Sequence, residues 1–125
     1  MMAKSHAGGC QCGTLRFVTT GEPRFVANCH CRDCRRATGA AFSTWVGWRD
    51  EQVSWTRGEP AVYASSIGVE RSFCRDCGTP LTYRGEKWPG ETHFLVGTYE
   101  EPDVHIPSTS VCVSEGLDWA KRERS

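Results

Sequence analysis

Long apolar runs are absent from this 125-residue chain. Nothing in it approaches the ~20 consecutive apolar residues that cross a bilayer, so no membrane partner is expected. Its first residues, Met1-Met2-Ala3-Lys4-Ser5-His6, lack the apolar stretch of a secretory signal, which predicts a cytoplasmic protein. An excess of either charge is missing as well: 15 Lys and Arg face 15 Asp and Glu. A neutral chain has no reason to bind nucleic acid tightly and without sequence preference. No internal repeat is visible. Core-forming residues are also scarce, with Leu, Ile, Val and Phe together only 21 of 125. Such a share signals disorder only alongside a high net charge, and five Trp and eight Cys argue against it. The length suits one domain, read as residues 1–125 with a core over 8–113 and flexible ends at 1–7 and 121–125. Something beyond aliphatic burial must hold it together, and the cysteines are the first suspects.

Seven of the eight cysteines are clustered. They read Cys10-Gln11-Cys12, then Cys29-His30-Cys31-Arg32-Asp33-Cys34, then Cys74-Arg75-Asp76-Cys77, with Cys112 alone. Disulfides fit poorly, because no secretory signal is present and cytosolic thiols stay reduced. Cys-x-Cys and Cys-x-x-Cys turns instead aim two sulfurs at one ion, which points to zinc. A thioredoxin-like redox role is weaker, since no βαβ pattern surrounds either Cys-x-x-Cys. Two partitions exist. Cys31, Cys34, Cys74 and Cys77 could form one stretched ribbon, stranding Cys10, Cys12 and Cys29. Alternatively, Cys10, Cys12, Cys74 and Cys77 close a four-thiolate site, leaving Cys29, Cys31 and Cys34 as a three-thiolate site. The second uses every clustered thiol and ties the N-terminal region to the middle of the chain, so it is preferred.

Two zinc ions per chain are then expected. A closed tetrahedron is structural, and an open fourth position marks a catalytic site. Whether the three-cysteine site is open or closed stays undecided at this level. Cys112 or His30 would be the fourth ligand of a closed one. Cys112 lies in the alternating run Ser110–Ser114 and reads better as a small buried hydrophobe. His30, between two ligands, would tend to point away from the ion. Two Zn²⁺ against seven thiolates leave about −3. Arg32, Arg35, Arg36 and Arg75 are placed to offset it, or to hold an anionic substrate.

Short strand-like runs dominate the rest: Thr14–Thr19, Phe42–Trp48, Gln52–Thr56, Ala61–Ser65, Glu70–Phe73, Pro80–Arg84 and His93–Tyr99. Turn signals such as Gly58-Glu59-Pro60 separate them. Helix is expected only at Arg32–Thr38, stopped by Gly39, and at Gly116–Lys121. The pattern predicts a small, mainly β fold. Trp45 and Trp48 read as core, not as a stacking platform for bases.

The motifs resemble those of the glutathione-dependent formaldehyde-activating enzymes, grouped with centromere-protein-V-like domains. The matching segments are Gly8–Gly13, Cys29–Gly39, Phe73–Leu81, and Val96-Gly97-Thr98 with Pro102 and His105-Ile106. Pro107–Cys112 departs from the family pattern. The resemblance implies a β-tent-like fold of several coiled antiparallel sheets stapled by zinc. It implies structural zinc at Cys10, Cys12, Cys74 and Cys77, and catalytic zinc at Cys29, Cys31 and Cys34. It further implies a carbon–sulfur lyase that joins or cleaves a small thiol such as glutathione and an aldehyde such as formaldehyde. The alternative is a non-catalytic zinc module that carries glutathione or docks a protein. The oligomeric state is not legible.

Overall fold

The computed structural model describes residues 4–121. The expectations for 1–3 and 122–125 lie outside the described residues. Ten strands and one helix follow in order: β1 Ser5–Gly9, β2 Arg16–Thr20, β3 Phe25–Cys29, α1 Arg32–Thr38, β4 Ser43–Arg49, β5 Val53–Arg57, β6 Ala61–Ser66, β7 Val69–Phe73, β8 Pro80–Gly85, β9 Glu91–Leu95 and β10 Thr109–Val111. They make two sheets. One has three antiparallel strands in the order β1-β2-β5. The other has seven, in the order β10-β3-β4-β9-β8-β7-β6, and only its β10–β3 edge is parallel. The fold is mainly β, as expected. Among the described residues, no helix is long and apolar enough to cross a membrane.

The alternation of β4 organises the interior. Val46 and Trp48 point to one face and join Phe17, Leu15, Leu81, Phe94 and Tyr99 between the sheets. Trp45 points to the other face and packs on Cys29 and Cys34. Period-two side-chain direction thus lets one strand serve two cores. Aromatics replace the missing aliphatics. Phe17 stacks on Phe94 with ring centres 4.1 Å apart and meets Tyr99 edge-on at 5.1 Å. A fully buried Phe stabilises by about 1.5–3 kcal/mol, and each aromatic pair adds about 0.5–1.5 kcal/mol. The cysteines are therefore not alone in holding the fold.

Several elements depart from the sequence reading. Ser5–Ala7 was expected in a flexible end but forms the first part of β1, paired with Val18–Thr20. Its His6 packs on the rings of Trp48, Tyr99 and His105. The strand β3 was unpredicted, because Asn28 and Ala27 dilute its β character. The run His93–Tyr99 ends as strand at Leu95, where Val96–Thr98 turns into a 3-10 helix. Gly116–Lys121 is no helix. Gly116 is extended, and the turn is confined to Val113–Glu115 and to hydrogen bonds on Leu117 O. A segment that short cannot offset the cost of helix nucleation. Cys112, read as a buried strand residue, is exposed. Its φ of 55° ends β10.

Candidate metal centre

Two hairpin turns of the same design carry four of the thiols. After β1, the Cys10 N–H donates to Leu15 O and the Gly13 N–H to Cys10 O. After β7, the Cys74 N–H donates to Thr79 O and the Gly78 N–H to Cys74 O. Each turn closes through a glycine at φ +83°, a conformation that Gly adopts without strain. The turns come from different sheets and meet. The sulfurs of Cys10, Cys12, Cys74 and Cys77 lie within 4.8 Å of one another. Cys10 and Cys12 are 3.6 Å apart, and Cys12 and Cys74 3.8 Å. A tetrahedron with metal–sulfur bonds of ~2.3 Å has edges of about 3.8 Å, so the donor set fits zinc. Leu15 N–H donates to Cys10 Sγ, and the Thr14 and Thr79 hydroxyls lie 3.1 and 3.2 Å from the sulfurs of Cys12 and Cys77. Those Thr79 contacts draw the Cys77 thiol down to about 5.

The other cluster lies on one continuous stretch. Cys29 closes β3, Cys31 is the N-cap of α1, and Cys34 sits in its first turn. The Cys31 sulfur accepts from Cys34 N–H at 3.2 Å, the role an Asn or Ser oxygen usually takes. The chain leaves the helix through Gly39 in the left-handed region. The sulfurs of Cys29, Cys31 and Cys34 also lie within 4.8 Å of one another. Trp45, Phe25, Tyr83 and Leu95 pack around them. The hydrogen bond with Cys29, then those with Cys31 and Arg71, hold the Cys34 thiol down to about 5 against the effect of burial. The same bond to Cys34, aided by burial, pushes the Cys29 thiol up. A metal ion bound here would displace the thiol protons.

The sulfurs thus group as four and three. Neither fourth-ligand candidate joins the three-thiol group among the described residues. His30 is buried, stacks on Phe42 at 5.0 Å, and leaves Nδ1 without a partner. Its ring stays out of the thiol group, as its place between two ligands leads one to expect. Its backbone N–H donates to Val111 O, which seats β10 against the centre.

Nor do the four arginines near the knuckles serve as a group. Arg32 and Arg36 are exposed, Arg35 donates to Glu115 O, and Arg75 is exposed. The guanidinium at the thiols belongs to Arg71 of β7, whose Nη2 lies 3.7 Å from Cys34 Sγ. Its signal was present in the sequence: Val69-x-Arg71-x-Phe73 puts a charge on the apolar parity of a strand. Trp45 and Trp48 are both buried, as core residues should be.

With this geometry in view, comparison with known proteins gives concordant results. The sequence profile of the glutathione-dependent formaldehyde-activating enzymes matches residues 5–115. An uncharacterized lyase of Schizosaccharomyces pombe is 31% identical over 78 residues, covering 62% of this chain and 56% of that protein. A Halomonas elongata protein, provisionally named as a glutathione-dependent formaldehyde-activating enzyme, is 26% identical over 125 aligned positions, covering 93% of this chain and 80% of its own. A crystal structure of a Rhodobacter sphaeroides protein superposes with a TM-score of 0.64 at 21% identity, covering 84% of this chain and 99% of that one. At that identity the superposition speaks for the fold alone.

Proposed function

This chain belongs to the glutathione-dependent formaldehyde-activating enzyme family, and from that premise we propose that it is a zinc-dependent carbon–sulfur lyase. It joins or releases a small thiol of the glutathione type and an aldehyde at Cys29, Cys31 and Cys34. Cys10, Cys12, Cys74 and Cys77 hold a structural zinc, giving two ions per chain. Its place is the reducing cytoplasm, where such thiols stay free. One observation carries the reading: a three-thiol group with no fourth protein donor among the described residues stands apart from a four-thiol group.

The thiolate is the nucleophile, and a free thiol is only a few per cent ionised near neutral pH. Cys29, Cys31 and Cys34 would hold a zinc ion, which when bound would supply the means of ionising an incoming thiol near neutral pH. The protein's own part is to orient and to exclude water. Cys31 and Cys34 are locked by the helix cap, and Trp45, Tyr83 and Leu95 wall the cluster. The thiolate sulfur adds to the aldehyde carbon, so a C–S bond forms. The C=O π pair moves to oxygen, which takes a proton from water. The product is a hydroxymethyl thioether, and the reverse path cleaves it.

The test is NMR exchange between formaldehyde and glutathione, with the zinc-loaded protein and with its Cys31→Ser variant. The expected result is acceleration above the spontaneous rate, lost in the variant as zinc falls from two per chain to one. Full zinc loading without acceleration overturns the reading in favour of a binding module. Cys112→Ser should leave two zinc ions, because Cys112 stands outside the thiol group.

A further inference from the structure

Arg71 is a buried cation with no carboxylate partner. Only 6% of it is exposed, and no acidic side chain pairs with it among the described residues. Its guanidinium offers five N–H donors and no acceptor. Four contacts fix it: Nε donates to Ser65 Oγ at 3.1 Å, Nη2 reaches Cys34 Sγ at 3.7 Å, and the ring centres of Tyr83 and Trp45 lie 5.2 and 6.0 Å away. Nη1 has no partner at all, although it is sealed from water. A buried, unpaired charged N–H is costly and calls for an acceptor. A hydroxyl, two aromatic rings and a thiol are its neighbours, and of these the three-thiol centre is the one that can carry a full negative charge.

We infer that Arg71 makes the three-cysteine centre receptive to anionic ligands, thiolates among them, in preference to neutral ones. The inference rests on the zinc reading above. Three thiolates around Zn²⁺ carry a net charge of about −1, and one more thiolate would bring about −2 into a site walled by Trp45 and Tyr83. Adding that charge to a buried site is unfavourable. Arg71 returns the resting centre to neutrality, so the incoming anion meets no net repulsion. Arg32 and Arg36 cannot substitute, since both are exposed and screened by solvent. Arg71 also lines a cavity of about 390 Å³ with Thr38, Trp45, Tyr63, Pro80 and Leu95, of which Trp45 and Leu95 pack on the thiol cluster as well, and this gives the remainder of a small ligand somewhere to lie. Arg71 is in this sense a specificity-determining residue: it acts on what binds, through charge.

Cobalt-loaded protein tests this without recourse to catalysis. Azide, an anion, and imidazole, a neutral ligand, are titrated against the visible cobalt bands of wild type, Arg71→Gln and Arg71→Lys. Arg71→Gln should weaken azide by about tenfold or more and imidazole by less than about twofold. Arg71→Lys should restore most of the azide affinity. Equal weakening of both ligands, or of neither, overturns the inference, because a merely structural arginine would move both together. Where Arg71→Gln does not fold, Arg71→Met keeps the apolar stem and carries the same expectations. A parallel titration with 2-mercaptoethanol separates the two claims. Failure of the thiol to change the wild-type bands overturns the thiol reading, while the azide-to-imidazole ratio still decides the role of Arg71.

Discussion

The two cysteine clusters use the same atom type and differ in almost everything else. The four-thiol cluster joins cysteines 62 or more residues apart, from turns of the two different sheets, and two of those cysteines are exposed. Hydroxyls and backbone amides at Leu15, Thr14 and Thr79 attend it. The three-thiol cluster comes from one stretch of six residues, sits among aromatic rings, and has a guanidinium as its charged neighbour. The first ties distant parts of the chain together, which is what stabilises a fold. The second ties almost nothing together, so its elaborate surroundings need another explanation, and the proposed chemistry at a bound metal would supply one.

Paired substitutions put that contrast to its hardest test. Cys74→Ser removes a ligand from the seam between the sheets and should lower the melting temperature by more than about 10 °C, or leave no cooperative transition. Cys31→Ser should cost less than about 5 °C, since a serine oxygen can take over the cap of α1. Calorimetry on zinc-loaded protein reads both. Equal losses would mean that the three-thiol cluster is also a structural staple.

A smaller change sharpens the same point. Thr79 Oγ1 accepts from Gln11 N–H at 3.0 Å and touches Cys77 Sγ, so one hydroxyl joins the two turns. Thr79→Val keeps the shape and removes both contacts. It should cost about 1–2 kcal/mol in denaturant unfolding. It should also speed the loss of one zinc ion, and only one, to a chelator. Faster loss of both ions would show that the clusters are not independent.

The knuckles were legible because ligand spacing is local, Cys-x-Cys and Cys-x-x-Cys fixing each by itself, while their grouping into four and three was preferred only because it leaves no clustered thiol stranded. The helix Arg32–Thr38 was legible for the same reason, since cap and stop both lie within it. The parity of β7 marks Arg71 as unusual, but not its contact with the thiols, because its partner Cys34 is 37 residues away and meets it only through the order of the strands in the larger sheet. The role of the first strand was hidden likewise. Ser5-His6-Ala7-Gly8-Gly9 has little β propensity, and its pairing with β2 and the packing of His6 on Tyr99 and His105 decide its structure. Cys112 misled by alternation: its neighbours fit a strand, while its own backbone sits in the left-handed region.

The smallest expected effect concerns the seam again, through protons. His105 is buried against His6 and Tyr99, with Trp48 edge-on, and its Nε2 has no partner. Burial first, and then the neighbouring His6, hold its pKa below the ordinary 6.5. The unfolded chain therefore takes up a proton more readily than the folded one. Stability contributed by neutral His105 is complete above about 6.5 and is lost as pH falls below it, levelling once the folded protein also protonates, with a slope of at most ~1.4 kcal/mol per pH unit. Burial lowers His93 too, against its bond to Glu91, so two residues share the trend. His105→Gln should flatten the fall in melting temperature between pH 7.5 and 6.0 without abolishing it. Because His6 and β1 lie on the smaller sheet, the substitution should leave thiol–formaldehyde exchange per folded molecule unchanged. A change in exchange would join the two clusters that the rest of the structure keeps apart.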